Sequence, residues 1–424
     1  MKLPAGIALL LAGGLVLAAP PPLAAQGYTL HPGDVVLADG RGSTARVLIA
    51  PDSGGPLVTA ASGSPIVGPT DVIVDRDGAI LVSSWAGDGF PENGIYRIDP
   101  GDGSVRKLQG STLADLFQFV RDARGDLVVA NGYAGLVRID SAGNATTFSR
   151  PTIRDDVTIG IVLDLDGAFV VTQAPNVFLS HNAPGFVQRV DPVTGLRTTL
   201  ASSLPFLGYP NGLALDTNGT LLATNAQNYM QPFAHGLARV LRNGTVLSLA
   251  AAPPLNFPTD IEVLGGGAYL VTDPGDESVL LLEPGNTVRR VISEFDDGNA
   301  NNGLPVDRPF GLTVVPRLWL RTPFTAPPRG SVRIEVRGKP FHRVTLAIAR
   351  KLGPTPLASR FQGDLRTTPL DLTRARLETA ASDSTGLAVF PQAVPANLAG
   401  QVIYLQAFLR GGGALSNFVA LPVR

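Results

Sequence analysis

The sequence predicts an all-β protein: one four-stranded unit repeated several times, then a separate, smaller β region. Three observations predict this. Short apolar runs alternate with Gly/Pro/Asn/Asp clusters in a chain of 424 residues holding 48 glycines and 36 prolines. Beyond residue 30 no long run carries a helical period. One strand–turn–strand phrase also recurs along most of the chain.

The phrase is "PTDVIVDRDGAILVSS" from Pro69, "LFQFVRDARGDLVVAN" from Leu116, "TIGIVLDLDGAFVVTQ" from Thr158, "PNGLALDTNGTLLATN" from Pro210 and "PTDIEVLGGGAYLVTD" from Pro258. Its turn glycines, Gly78, Gly125, Gly167, Gly219 and Gly267, stand 47, 42, 52 and 48 residues apart. A third strand follows each copy, as in "GIYRIDPGDG" and "FVQRVDPVTG", and a weaker fourth closes the unit. Four strands in about 45 residues is the period of a β-propeller blade. The ends complete the count. "RPFGLTVVP" (308–316) is a first strand without a blade after it, and "GDVVLADGRGSTARVLIAPDSG" (33–54) is a second and third strand without a first. Together they predict a six-bladed propeller over residues 26–316, closed by both termini so that no sheet edge is left open.

From "RLWLRTP" onward the period is lost. "SVRIEVR" (331–337) alternates apolar and charged residues, the mark of a strand with one buried and one wet face. With "RVTLAIA", "GLAVF", "QVIYLQAF" and "LSNFVALPV" it predicts a small β-sandwich over residues 317–424.

Residues 1–25 read as a secretory signal peptide: Lys2, an apolar run from Ile7 to Ala19, then small residues ending near Ala25. The expected location is secreted or periplasmic. With no cysteine the protein has no disulfide and is stabilised by packing alone. The net charge of −1 hides an asymmetry: residues 3–316 carry 18 Lys/Arg against 30 Asp/Glu, and residues 317–424 carry 15 against 5. The basic C-terminal region is expected to contact the acidic propeller or a polyanion. A monomer is expected, with no nucleic-acid partner and no membrane span once the signal is removed.

The repeat resembles the six-bladed NHL-repeat and gluconolactonase-like (senescence marker protein-like) propellers of bacterial secreted proteins. In the gluconolactonase family a catalytic metal is held by a Glu, two Asn and an Asp from different blades, and Asn211 matches the Asn of its Pro-Asn-Gly. The equivalent positions in the other repeats are Thr70, Phe117, Ile159, Thr259 and Phe310, none of them anionic. One residue later stand Asp71, Gln118, Gly160, Gly212, Asp260 and Gly311. A divalent metal wants several oxygens, carboxylates among them, so the sequence predicts no metal and reads Asn211 as a turn residue. A likeness to virginiamycin-inactivating lyase propellers extends to the fold only, without a matching His/Glu spacing.

Loops entering first strands and loops joining second to third strands share the face around the central tunnel, where ligands are expected. Three of them are long, 83–94, 172–185 and 224–236, and bring Trp85, His181, Tyr229 and His235. Asp39, Ser84, Asn131, Gln173, Asn225 and Asp273 end the second strands as a polar ring that ties neighbouring blades together or meets a ligand. The candidate ligand-binding residues are Asp71, Trp85, His181, Asn211, Asn225, Tyr229, His235 and Asp260. "FDDGNANNG" (295–303) begins like a calcium loop, but Arg308 stands where a bidentate Glu belongs. No Gly-x-Ser-x-Gly, His-Glu-x-x-His or phosphate-binding loop is present. The leading expectation is a binding or interaction scaffold for a small or saccharide-like molecule or a protein. The rival is a metal-dependent, lactonase-like hydrolase or a lyase acting at the same face.

Overall fold

The computed structural model describes residues 27–423 except 41–44, 86, 88–90, 110–112, 123, 154–155, 165, 176–182, 204–205, 217–218, 227–235, 252–254, 266, 286, 294–305, 307, 323–325, 339–341, 351, 357–366, 371–374 and 410–418. The predicted signal peptide and the calcium-like segment 295–303 lie outside these residues. Among them no helix is long and apolar enough to cross a membrane.

Among the described residues the regular secondary structure is almost entirely strand. It begins with β1 (Val35–Asp39), β2 (Arg46–Ala50) and β3 (Val58–Ser62). A second group is β4 (Pro69–Val74), β5 (Ile80–Ser84), β6 (Gly94–Ile98) and β7 (Val105–Lys107). A third is β8 (Leu116–Arg121), β9 (Leu127–Asn131), β10 (Leu136–Ile139) and β11 (Ala145–Ser149). The fourth is β12 (Val157–Leu163), β13 (Phe169–Ala174), β14 (Phe186–Val190) and β15 (Arg197–Ser202). The fifth is β16 (Pro210–Leu215), β17 (Leu221–Asn225), β18 (Gly236–Val240) and β19 (Val246–Ala251). The sixth is β20 (Asp260–Gly265), β21 (Ala268–Asp273), β22 (Ser278–Glu283) and β23 (Thr287–Ser293), after which comes β24 (Pro309–Val314). Each of the second to sixth groups is one four-stranded antiparallel sheet. The first sheet runs β24-β1-β2-β3, with Leu312 opposite Leu37 and Val314 opposite Val35.

First strands meet first strands: β4 lies against β8, β8 against β12, β12 against β16, β16 against β20, β20 against β24, and β24 against β4. Apolar clusters fill the spaces between neighbouring sheets. Leu81 and Ile95 pack on Phe119 and Val129. Val128 and Leu136 pack on Phe169 and Val171. Leu270 and Val279 pack on Leu37 and Leu312. A sheet covered on both faces needs apolar residues on both. That is why "ILVSS", "LVVAN" and "LLATN" are buried throughout instead of alternating. Fully burying each such Leu, Ile or Phe contributes about 1.5–3 kcal/mol. The phrase's turn glycines all have positive φ, between 81° and 95°, which closes each first-to-second-strand hairpin at no steric cost. All-β four-stranded sheets joined in this way form a β-propeller.

The C-terminal region adds β25 (Trp319–Arg321), β26 (Ser331–Arg337), β27 (Arg343–Ala349), β28 (Leu352–Pro356), β29 (Thr367–Leu370), β30 (Arg376–Ala381), β31 (Leu387–Ala393), β32 (Val402–Leu409) and β33 (Val419–Pro422). A β25-β26-β31 sheet and a β30-β27-β32-β33 sheet share one core. Val332, Ile334 and Val336 come from the first, and Leu346, Leu405 and Leu421 from the second. This region touches the propeller. Arg321 donates to the Asp77 carbonyl at 2.6 Å, and exposed Arg317 reaches Asp52 at 3.4 Å. The Tyr404 hydroxyl is pushed up by burial and by Asp122.

Candidate functional site

The first strands converge with their inner edges unpaired, so N–H groups pointing at the axis need acceptors. Three side chains supply them. Asp71 accepts from Val72 N at 2.8 Å through Oδ1 and from Phe119 N at 2.9 Å through Oδ2. Gln118 Oε1 accepts from Ile161 N at 3.1 Å and Leu213 N at 3.0 Å. Asp260 accepts from Ile261 N at 2.8 Å through Oδ1 and from Leu312 N at 2.9 Å through Oδ2. Gln118 Nε2 also donates to Asp260 Oδ1. The donors Val72, Phe119, Ile161, Leu213, Ile261 and Leu312 hold the equivalent position in β4, β8, β12, β16, β20 and β24.

The remaining first strands carry glycine where these side chains would stand, and close approach explains it. A Cβ on Gly311 would come within 2.5 Å of Asp71 Cα, and one on Gly212 within 2.7 Å of Asp260 Cα. One on Gly160 would come within 2.3 Å of the Asn211 carbonyl oxygen.

Burial dominates the electrostatics of this plug. It holds the Asp71 carboxyl well above the usual range, with the Asp260 charge adding to the shift. It raises Asp260 to about 7 against the lowering effect of its two backbone donors and Gln118. Glu262, two residues further along β20, is raised to about 8 by burial and then by Asp260.

Above the plug lies a cavity of about 160 Å³. Thr70, Phe117, Ile159, Asn211, Thr259 and Phe310 all line it, one from each first-strand repeat, with Gln118 and Asp260 below. Trp85, Tyr209 and Phe257 complete a largely apolar wall. Trp85 and Phe117 are tilted ring neighbours, 6.4 Å between centroids. The Tyr209 hydroxyl is pushed up to about 12 by burial, then by Tyr133 and Asp115.

Of the predicted site residues, the cavity brings Trp85, Asn211 and Asp260 together, and Asp71 belongs to the plug beneath. Asn211 sits in β16 rather than in a turn, and its carbonyl accepts from Thr172 Oγ1 at 2.7 Å. Asn225 is buried, and its Oδ1 accepts from Tyr209 N at 2.8 Å, so it pins the loop that leads into β16. His181, Tyr229 and His235 lie outside the described residues.

Four other members of the polar ring act as Asn225 does, whereas Asn131 Oδ1 is buried and accepts no hydrogen bond among the described residues. Asp39 accepts from Arg308 N, Ser84 from Val67 N, Gln173 from Thr152 N, and Asp273 from Asn256 and Phe257 N. Each side chain therefore ties the incoming loop of its own sheet. Ties between sheets come from the preceding residue. Ser83 donates to the Phe117 carbonyl at 3.0 Å, Thr172 to that of Asn211, Thr224 to that of Thr259 at 3.2 Å, and Thr272 to that of Phe310 at 2.9 Å.

The residues sequence reasoning passed over are Gln118, Tyr209 and Phe257. Tyr209 and Phe257 directly precede the prolines Pro210 and Pro258 of the repeat, as Gly68 precedes Pro69, and all three positions line the cavity. That shared offset was the available signal.

The residues do not fit the metal centre of the gluconolactonase family. The position of Asn211 is matched around the mouth by Thr, Phe and Ile. All four oxygens of Asp71 and Asp260 already accept backbone N–H groups. Among the described residues no group of three His, Asp or Glu side chains is placed to hold a metal ion.

No family model matches the sequence, and no curated protein matches it. Among solved structures, virginiamycin B lyase from Staphylococcus aureus is similar at 15% identity, covering 64% of this chain and 87% of that one, with a TM-score of 0.45. A putative 6-phosphogluconolactonase from Bacteroides fragilis is similar at 12% identity, over 68% and 99% of the two chains, with a TM-score of 0.44. Another, from Bacteroides uniformis, is similar at 14% identity, over 68% and 100%, with a TM-score of 0.42. These are resemblances of fold.

Proposed function

We propose that the chain is a secreted or periplasmic six-bladed propeller, closed by both termini, that binds a small neutral or saccharide-like molecule at the axial cavity. A C-terminal β-sandwich follows it. The observation that carries this reading is the division of labour at the axis. Polar side chains of the plug are engaged by backbone N–H groups, while the cavity above presents aromatic and apolar surface with Asn211, Thr70 and Thr259 as the polar groups. Apolar walls with a few fixed polar groups suit a neutral ligand held by stacking and a small number of hydrogen bonds. The architecture is gluconolactonase-like in this proposal, and no metal is assigned to it.

One observation favours a second reading. Asp260 lines the cavity and has its carboxyl raised to about 7, the range in which a carboxyl exchanges a proton near neutrality. A metal-independent lyase or hydrolase using Asp260 as acid–base would have this feature.

The experiment is a fluorescence titration with glucono-δ-lactone and methyl glucoside in a Trp319→Phe background, leaving Trp85 as the reporter. The proposal expects saturable quenching, unchanged by EDTA and weakened by Phe117→Ala, with the lactone released intact. Lactone turnover lost on EDTA treatment would contradict it. EDTA-insensitive turnover lost in Asp260→Asn would establish the second reading instead.

A further inference from the structure

At the opposite ends of the sheets from the axial cavity, the turns of the second and third sheets enclose a cavity of about 420 Å³. Its lining includes five arginines, Arg76, Arg97, Arg106, Arg121 and Arg124, against three carboxylates, Asp75, Asp126 and Asp140.

Two of those carboxylates are already engaged. Asp75 is forked by Arg121, with Nε at 2.7 Å from Oδ1, and it accepts from Arg76 N at 2.8 Å. Asp140 holds its own turn, accepting from Ala142 N at 2.8 Å, Asn144 N at 2.9 Å and Asn144 Nδ2 at 2.9 Å. Arg97 is turned to Asp77, at 3.1 and 2.8 Å. Arg106 and Arg124 are exposed and form no ion pair among the described residues. Arg76 is only 6% exposed. Burial and then the neighbouring Arg121 lower its guanidinium to about 10, a cost that Asp75 and Asp77 offset in part.

We propose that this cavity is a binding site for a tetrahedral oxyanion, a phosphate or sulfate group. The lining carries an excess of two positive charges in a concave, partly desolvated place, where Coulomb attraction is stronger than at an open surface. Guanidinium forks approach from the turns after β4 and β8 and from the strands β6 and β7. A tetrahedral anion has enough acceptor oxygens to serve several of these at once, which a carboxylate does not. It would also relieve the repulsion between Arg76 and Arg121. The site is independent of the axial cavity.

The test is calorimetric titration of the whole chain with inorganic sulfate and inorganic phosphate in low-ionic-strength chloride buffer, with galactose 4-sulfate as a parallel arm. The expected result is saturable binding with one site per chain. It should weaken roughly tenfold or more in the Arg106→Ala/Arg124→Ala double variant, which removes two charge-assisted contacts without touching buried groups. Arg289→Ala, an exposed arginine paired with Glu283, should leave it unchanged. Binding of the ester as tight as or tighter than the inorganic ions identifies a group carried on a larger ligand, and binding of the inorganic ions alone identifies the free anion. No saturable binding at millimolar anion, or equal weakening in Arg289→Ala, would overturn the proposal.

Discussion

At the axial end of the sheets Asp71 and Asp260 point inward, and each of their oxygens accepts a backbone N–H. At the other end Asp75, Asp122, Asp164 and Asp216 occupy the first-to-second-strand turns and meet arginines: Arg121, Arg138, Arg242 and Arg239. The same residue type therefore serves two physical tasks. On the axis carboxylates complete a backbone that has no other partner, and their charge is a burden, visible in their raised pKa values. At the turns the backbone is already closed by the hairpins, and carboxylates hold cations. The difference teaches that a buried carboxylate beside a cavity need not be a ligand or a catalyst, and that a surplus of arginine over carboxylate marks the end with uncommitted charge.

The largest expected effect is at Gln118, the one uncharged member of the plug. Gln118→Leu leaves Ile161 N and Leu213 N without their acceptor and removes the donor to Asp260. Two orphaned buried donors cost about 2–5 kcal/mol in unfolding free energy, measured by denaturant titration.

The pH dependence comes next. Asp71, Asp260 and Glu262 have folded pKa values above their unfolded values of about 4. Across that window the folded chain holds more protons than the unfolded chain. Their contribution is therefore fully present below about pH 4 and lost as pH rises through the folded values near 7 and 8. Unfolding free energy should fall between pH 5 and pH 9, and Asp260→Asn should make the slope shallower. A slope unchanged by that substitution would place the titration elsewhere.

At the turn end the effect is smaller and screened by salt. Arg242 spans from the fifth sheet to Asp164 of the fourth at 2.6 Å, but Asp164 keeps Arg189 at 2.8 Å when it goes. Arg242→Ala should cost about 1 kcal/mol at low salt and less in 0.5 M chloride, since the guanidinium is part-exposed. A cost of the size expected at the axis would erase the contrast between the two ends. The smallest effect is at Asn211. Asn211→Ala should change stability by about 0.5 kcal/mol or less and leave divalent-metal content by elemental analysis unchanged.

Much of this architecture is legible in the sequence because it rests on local chemistry. The turn glycines, the doubly apolar second strands and the alternation in "SVRIEVR" each follow from the conformation or burial of a single strand. The polar end of a second strand reads as one tie, and in "LLATN" it is two: Asn225 holds its own sheet's incoming loop, and the preceding Thr224 holds the next sheet. The axial plug was only half legible. Asp71 and Asp260 stood out by charge, whereas Gln118, which joins them, carries no charge to notice. Their task depends on six strands separated by up to 241 residues in sequence, from Asp71 to Leu312, arriving at one axis, and no local pattern encodes that convergence. The positions of Tyr209 and Phe257 depend on the same convergence.

The central claim is that Asp71 and Asp260 stabilise the propeller as acceptors. The most direct measurement is the unfolding free energy of Asp71→Ala, Asp260→Ala and the double variant at pH 6, beside the unsubstituted protein. As acceptors, each loss strands two buried N–H groups, so each single variant should be less stable by about 2–5 kcal/mol. The double variant should be less stable than either. Carboxylates held at the axis for binding or catalysis would instead sit there at the expense of stability. Variants as stable as the unsubstituted protein, or more stable, would contradict the account.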